Sequence, residues 1–502
     1  MAHDRDPLLL SQFNPGRGPR AGGIAVQAMP TAPVEQKTHR GRLITALCLL
    51  GSIVLASAAL PAVAQPAGGI EIRPVPSAPV ADGFTFAAVG DLIYLRPMLA
   101  TIERRAPAMV KLLRDADVAF GNFETSVLHL SSTKGAPQAE SGGTWMLGDP
   151  AVVADLARMG FDIVSHANNH ATDWGAEGLF ETLDHLDKGG LIAAGTGRNL
   201  AAARAPRYLD VPAGRIALVA ASSSFTGMSR ASDPLGEVPG RPGVNALRTE
   251  RIGQVAAADM EVLARLAGSK PGAPVRFSGM RYEPVSDPKS PMAIRYIVNK
   301  TDEIANLRSV RQSHQNGNFV AFSLHNHEPG NDSPMPAPFA VEFAHKTIDA
   351  GADIYLGHGP HQLRGIEIYK GKPIFYSLGN FAMMNNSLDD VPADMYEQFG
   401  VDPANATAPE LLQARNGRSF ADPVLFESVV AVSSFAKGRV AEIRLYPIDL
   451  GTSVDGAARG VPGNASPAVA RRILERLQRL SAPYGTTIAI EGGVGVIRVP
   501  VQ

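Results

Sequence analysis

A chain of 502 residues, with 47 Lys plus Arg against 48 Asp plus Glu and a formal charge of −1, is long enough for more than one structural unit and has no basic excess with which to grip nucleic acid. Its 45% hydrophobic and 19% charged residues exclude wholesale disorder. The single cysteine, Cys48, excludes an internal disulfide and any cysteine-rich metal site, which leaves the 12 histidines and the carboxylates as donors.

Residues 1–36 are rich in Pro, Gly and Arg and show no apolar period; they read as a disordered leader or an overcalled start, with Met29 as an alternative initiator. A basic stretch, Lys37 to Arg42, precedes the apolar run Leu43 to Leu60 and then Pro61-Ala62-Val63-Ala64. Those three regions make a secretory signal over 37–64, with cleavage expected after Ala64 and a periplasmic or extracellular destination. The alternative is that the 18-residue apolar run is retained as a membrane anchor. Cleavage removes six Lys/Arg and three acids, so the remaining 438 residues carry −4 and no cysteine. Residues 65–82, with Pro66, Pro74, Pro76 and Pro79, read as an extended linker.

From Phe84 onward one pattern recurs: a short apolar run ends in a polar cluster, and a helix-length stretch follows. Phe84–Val89 ends in Gly90-Asp91, Val118–Phe120 in Gly121-Asn122-Phe123-Glu124, and Phe161–Val164 in Ser165-His166-Ala167-Asn168-Asn169-His170. Phe319–Leu324 ends in His325-Asn326-His327-Glu328, Asp353–Leu356 in Gly357-His358-Gly359-Pro360-His361, and Ile374–Leu378 in Gly379-Asn380. Strands alternating with helices predict an α/β fold, in which ligands bind at the carboxyl ends of the strands. Residues 150–159 and 340–350 are apolar at helical spacing. The segment 226–316, rich in Pro, Gly and charge, reads as an insertion with helical patches near 249–267 and 300–314. Leu425–Phe435 and Arg439–Leu450 flank Lys437-Gly438 as a hairpin. The main domain is expected over 83–452. The extension 453–502 holds a helix over 467–481 and a final strand pair.

Asp91, Glu124, Asn169, His170, His325, His358 and His361 each follow a predicted strand. Carboxylates, imidazoles and an amide oxygen are the donors a divalent metal pair needs to activate water, and a carboxylate suits the bridge between two cations. An imidazole at the open face can donate a proton to a leaving oxygen. His327 and Glu328 either extend this site or face water. Arg241 and Arg248 are two guanidiniums suited to hold a phosphate or carboxylate, or belong to a solvated loop. Trp174 either stacks on substrate or packs under the turn, and His166 reads as a packing residue.

Five blocks carry a family resemblance: Gly90-Asp91; Asn122-Phe123-Glu124; Ala167-Asn168-Asn169-His170 with Asp173-Trp174-Gly175; Gly357–His361; and Ile374–Phe381. Over roughly 83–385 the chain resembles the capsule-synthesis CapA family of the calcineurin-like metallophosphoesterase superfamily. The resemblance implies a metallophosphoesterase-like four-layer α/β/β/α sandwich. It implies a role in capsule (poly-γ-glutamate) or envelope polymer biosynthesis, as a metal-dependent hydrolase of the phosphoesterase type or as a non-catalytic accessory factor. The implied cofactors are two divalent ions, Mn, Fe or Zn. The implied partners are an anionic polymer or phosphoester substrate and a membrane polymer synthase. Asp91 matches a ligand of one metal, Glu124 the bridging carboxylate, Asn169 the amide ligand of the second metal, and His325, His358 and His361 the later metal histidines. His170 matches the imidazole that acts as general acid or orients substrate, with Asn169 beside it, and Asn122 is implied to hydrogen-bond a ligand. The chain departs from the superfamily's Asp-x-His motif with Ile93, from its second carboxylate with Glu124, and from His-x-His by the wider spacing of His358 and His361. Asn326 stands where CapA relatives usually carry Trp.

Overall fold

The computed structural model describes residues 78–500 except 139–140, 142–143, 271–272, 288 and 452–455. The leader, the signal segment with Cys48, and linker residues 65–77 lie outside the described residues. Among the described residues no helix is long and apolar enough to cross a membrane.

Two large sheets carry the fold. One has ten strands, with the central order Glu427–Ala436, Thr85–Ile93, Val118–Asn122, Ile163–Ser165, Ile192–Ala194; the last four are mutually parallel, and the Glu427–Ala436/Arg439–Asp449 hairpin adds antiparallel. The other has six strands, with a parallel centre of Lys372–Phe375, Ile354–His358, Phe319–His325 and Gly214–Ser222, and antiparallel edges. The hairpin turns through Lys437 and Gly438, both at positive φ (50° and 67°), the geometry that follows the strands' right-handed twist.

Strand alternation assigns each face. Along Thr85–Ile93, Phe86 and Ala88 enter the core between the sheets, while Ala87 and Val89 enter a second core beneath helices Leu99–Arg105, Pro107–Asp115 and Ala151–Met159. Along Gly214–Ser222, Ile216, Leu218 and Ala220 face the inter-sheet core, and Ala217, Val219 and Ala221 face helices Lys300–Asn316 and Pro338–Asp349. The result is the four-layer α/β/β/α sandwich that the resemblance implied. Helix Pro467–Ser481 contributes Ile473, Leu474 and Leu477 to the inter-sheet core.

The segment 226–316 divides. Residues 249–298 hold a four-stranded sheet of their own with helix Ala257–Leu266, whereas Lys300–Asn316 is the helix that covers the six-stranded sheet. The helical patch expected to begin at 249 is corrected: Thr249–Ala256 is a strand, because it pairs on one side with Ala293–Val298 and on the other with Met280–Val285. Two flanking ladders satisfy its backbone and outweigh its weak helical pattern.

Phe319 is the centre of the inter-sheet core, its ring 5.1 Å from Phe84, 5.5 Å from Phe86 and 4.9 Å from Phe435. Phe319→Ala should cost about 3–5 kcal/mol through lost burial and the cavity left behind. Urea unfolding checks this; a loss below about 1 kcal/mol would contradict the packing described.

Candidate metal centre

Both sheets present the carboxyl ends of their parallel strands to one place, and register does the alignment. Asp91 lies opposite Asn122 and Asn380, and Asn122 opposite Ser165. In the facing sheet His325 lies opposite His358. Asp91 is seated by backbone contact: its N–H donates to the Gly379 carbonyl at 2.9 Å. A Cβ on Gly90 would stand 1.8 Å from that carbonyl oxygen, so only glycine permits the approach.

The side chains then converge. His361 Nδ1 is 3.3 Å from Asp91 Oδ2 and 4.0 Å from Glu124 Oε2, and His325 Nε2 is 3.6 Å from Glu124 Oε1. His358 Nδ1 is 3.7 Å from Asp91 Oδ1 and 3.0 Å from His325 Nδ1. His327 Nε2 is 2.9 Å from His325 Nε2 and 3.4 Å from Asn169 Oδ1. Three overlapping groups have donor atoms close enough to share an ion: Asp91/Glu124/His361, Glu124/His325/His327 and Asp91/His325/His358.

Their charge states favour a cation. Both oxygens of the fully buried Glu124 carboxylate lack a hydrogen-bond donor. Burial, with the neighbouring negative charges of Asp91 and Asp173, holds Glu124 well above the usual carboxylate range. Burial also opposes the charge on Asp91, but its hydrogen bond to His361, the nearby His361 and His358 rings and the Asn122 amide together keep it below the ordinary value. Burial pushes His358 down to about 4 and His327, against the added charge of His361, down to about 3. His325 falls well below its ordinary value for the same reasons. Neutral imidazoles are metal ligands, and imidazoliums are not. Buried imidazoles around an orphaned carboxylate therefore fit a divalent cation, with Asp91, Glu124, His325, His327, His358 and His361 to hold it. All the donors are nitrogen or oxygen, as a divalent-cation site without thiolates requires.

A surrounding layer fixes the rings. Asn122 donates to Asp91 Oδ1 at 2.8 Å and meets His325 Nδ1 at 3.2 Å. Ser323 Oγ lies 2.6 Å from His358 Nε2, Asn331 Oδ1 2.7 Å from His327 Nδ1, and Asn380 Oδ1 3.0 Å from His361 Nδ1. Asn380 also donates to the main-chain carbonyls of His361 and Leu425, which braces His361 at its unusual φ of 59°.

The cluster opens into a cavity of about 460 Å³ lined by Asn169, His170, His327 and His361 among others. His170 Nδ1 lies 2.7 Å from Asp173 Oδ2, which also accepts the Met146 N–H at 2.7 Å. A carboxylate only accepts, so His170 carries its proton on Nδ1 toward Asp173, and its orientation is set by the chain segment three residues on.

The sequence-derived candidates thus divide. Asp91, Glu124, His325, His358 and His361 come together, with Asn122 behind them and Asn169 and His170 at the cavity face. His327 belongs to the donor groups themselves; its spacing of two from His325 was the available signal. Arg241 and Arg248 are not among the residues lining this cavity. Arg248 pairs with Asp302 at 2.6 Å, and Arg241 donates to the Arg230 carbonyl at 2.7 Å. Ile93 lines the cavity in place of the superfamily histidine. Trp174 is buried and donates to the Met146 carbonyl at 3.0 Å, so it packs under the turn. Asn380, Ser323 and Asn331 were not picked out as supports; Asn380 sat within a quoted block, Ser323 two residues before His325 on the same strand face, and Asn331 carried no signal.

Residues 85–385 match the family described as bacterial capsule synthesis protein PGA_cap. The uncharacterized proteins y4sH and y4uA of Sinorhizobium fredii are each 46% identical over 438 residues, covering 84% of this chain and 94% of theirs. The capsule biosynthesis protein CapA of Bacillus anthracis is 26% identical over 302 residues, 59% of either chain. A Mycobacterium tuberculosis protein named as a probable polyglutamine synthesis accessory protein is 30% identical over 235 residues, 46% of this chain and 47% of its own.

His166 supplies a pH test. It is buried, 3.0 Å from Thr196 Oγ1 through Nδ1, and burial pushes it from 6.5 down to about 4. Below about pH 6.5 the unfolded chain takes up a proton there that the folded chain refuses, so stability falls with pH until the folded value near 4 is reached, by up to about 3 kcal/mol. In urea titrations from pH 4 to 7, His166→Gln should show a shallower slope than the parent by about one proton. Parallel slopes would contradict this.

Proposed function

Because this chain belongs to the bacterial capsule synthesis protein family PGA_cap, we propose that it serves envelope polymer biosynthesis as an exported, metal-dependent hydrolase acting on an anionic polymer or its phosphoester precursor. The observation that carries the reading is the fully buried Glu124 carboxylate, without a hydrogen-bond donor, among Asp91 and the imidazoles of His325, His327, His358 and His361. Divalent cations held there by Asp91, Glu124, His325, His327, His358 and His361 would supply the charge that polarises a substrate oxygen and activates water. Asn169 stands at the mouth, with its amide oxygen toward His327 and its amide nitrogen donating to Ser141 Oγ at 2.9 Å. Its role is to position a substrate oxygen. His170, held through its Nδ1–H by the Asp173 carboxylate, would carry a second proton on Nε2 in its imidazolium form, and that is the proton it would pass to the leaving oxygen. The signal segment 37–64 would carry the chain across the membrane, and a membrane polymer synthase is the partner such a role requires.

The name of the mycobacterial relative favours a second reading, a non-catalytic accessory factor that uses the same metal grip. His170 separates the two. The purified protein should contain manganese, iron or zinc by elemental analysis and hydrolyse phosphomonoesters, phosphodiesters or poly-γ-glutamate. His170→Ala should lower kcat by about 10²-fold or more at unchanged metal content. Protein that stays inert after each metal is added contradicts the hydrolase. If cells keep full polymer output with His170→Ala but lose it with Asp91→Ala, the accessory reading stands instead.

A further inference from the structure

Beyond the metal-ligating cluster, the same cavity is lined by two polar side chains whose hydrogen-bonding capacity the fold leaves unused. Arg415, on helix Ala408–Ser419, is 1% exposed. Its Nη1 donates to Asn416 at 3.0 Å, its Nε has no acceptor, and among the described residues no carboxylate pairs with it. Burial alone pushes its pKa down to about 10, so it remains cationic at neutral pH. Asn385 is 3% exposed, and neither its amide oxygen nor its amide nitrogen has a partner. The turn Asn385–Ser387 packs against the Arg415 helix.

Contrast sharpens the point. Arg364 is also fully buried, but the main-chain carbonyls of Glu328, Gly330 and Ser333 accept from it at 2.9–3.3 Å, so it is a structural strut. Arg415 has no such set. Its guanidinium instead stacks 4.5 Å from the Phe420 ring centroid, and that ring also lies edge-on to His361 at 6.3 Å. One phenyl ring thus joins the unpaired cation to a member of the donor cluster. A buried charge without a partner is costly, and such sites persist where a ligand completes them.

We propose that Arg415 and Asn385 form an anion subsite that holds a substrate carboxylate or phosphate beside the metal-ligating cluster. Arg415 donates to two oxygens from its planar fork, and Asn385 donates its amide N–H to a further oxygen of a phosphate or to one of the same two oxygens of a carboxylate. This deepens the reading above, since it rests on the cavity being the substrate site, and it replaces Arg241 and Arg248 as the anion grip. It also gives helix Ala408–Ser419, beyond the family-matched residues 85–385, a part in recognition.

Calorimetric titration of the full chain, as purified and with its metal content measured in each sample, tests this with two probes, glutarate for the carboxylate and inorganic phosphate. Arg415→Met should weaken at least one probe about tenfold or more, at equal metal content and with a melting temperature no lower than the parent's, because it removes an unpaired buried charge. The probe that weakens identifies the chemistry. Arg415→Lys, which keeps the charge without the fork, and Asn385→Ala should each give an intermediate loss, and they carry the test if Arg415→Met does not fold. Unchanged affinity for both probes in all variants, or a parent that binds neither, overturns the proposal, as does a lowered melting temperature with affinity intact. Binding rather than turnover is scored, so a protein that proves non-catalytic leaves this test standing.

Discussion

The structure turns on a buried carboxyl group whose ionisation the protein itself does not support. Glu124 is out of contact with water and has no donor on either oxygen, a few ångströms from Asp91. Desolvating a carboxylate costs several kcal/mol, and a second acid nearby adds to the cost. His325, His327 and His358 do not offset it as a salt bridge would, because burial keeps those imidazoles neutral. The arrangement is balanced when positive charge arrives from outside, in a form that takes oxygen and nitrogen donors together.

Much of the architecture can be read as what holds those donors still. Parallel strands from two sheets end at one edge, so the site draws on four of them. The Gly90–Gly379 approach seats Asp91, and Asn380 holds His361 from both its ring and its carbonyl. The cavity side is built differently. There His170, Asn169, Asn385 and Arg415 come from loops and a late helix, elements that can change between relatives without disturbing the strand ends. On the proposed reading, metal holding and substrate choice would be carried by separate parts of the chain.

The convergence of the donor side chains was legible in the sequence because it obeys a local rule. Each donor directly follows an apolar run that reads as a strand, and the α/β rule sends such positions to one edge. The hairpin around Lys437-Gly438 and the terminal helix at 467–481 were legible for similar reasons, a turn signal and a helical period. What escaped was long-range. Nothing near Arg415 distinguishes it from other arginines; its meaning comes from sharing a cavity with Asn385, thirty residues earlier, and from stacking on Phe420. Arg241 and Arg248 looked better by spacing alone, yet Asp302 and a main-chain carbonyl occupy them. Thr249–Ala256 escaped because its partners on both sides lie further along the chain.

The central claim is that Glu124 is completed by a cation. It is tested most directly by crystals of the purified protein, with diffraction recorded on either side of the manganese, iron and zinc absorption edges. The account predicts an anomalous peak within bonding distance of Glu124 and of at least two of His325, His327, His358 and His361, absent in Glu124→Gln crystals grown the same way. A fully occupied protein lattice with no anomalous peak among these residues, after soaking in each metal, would contradict it.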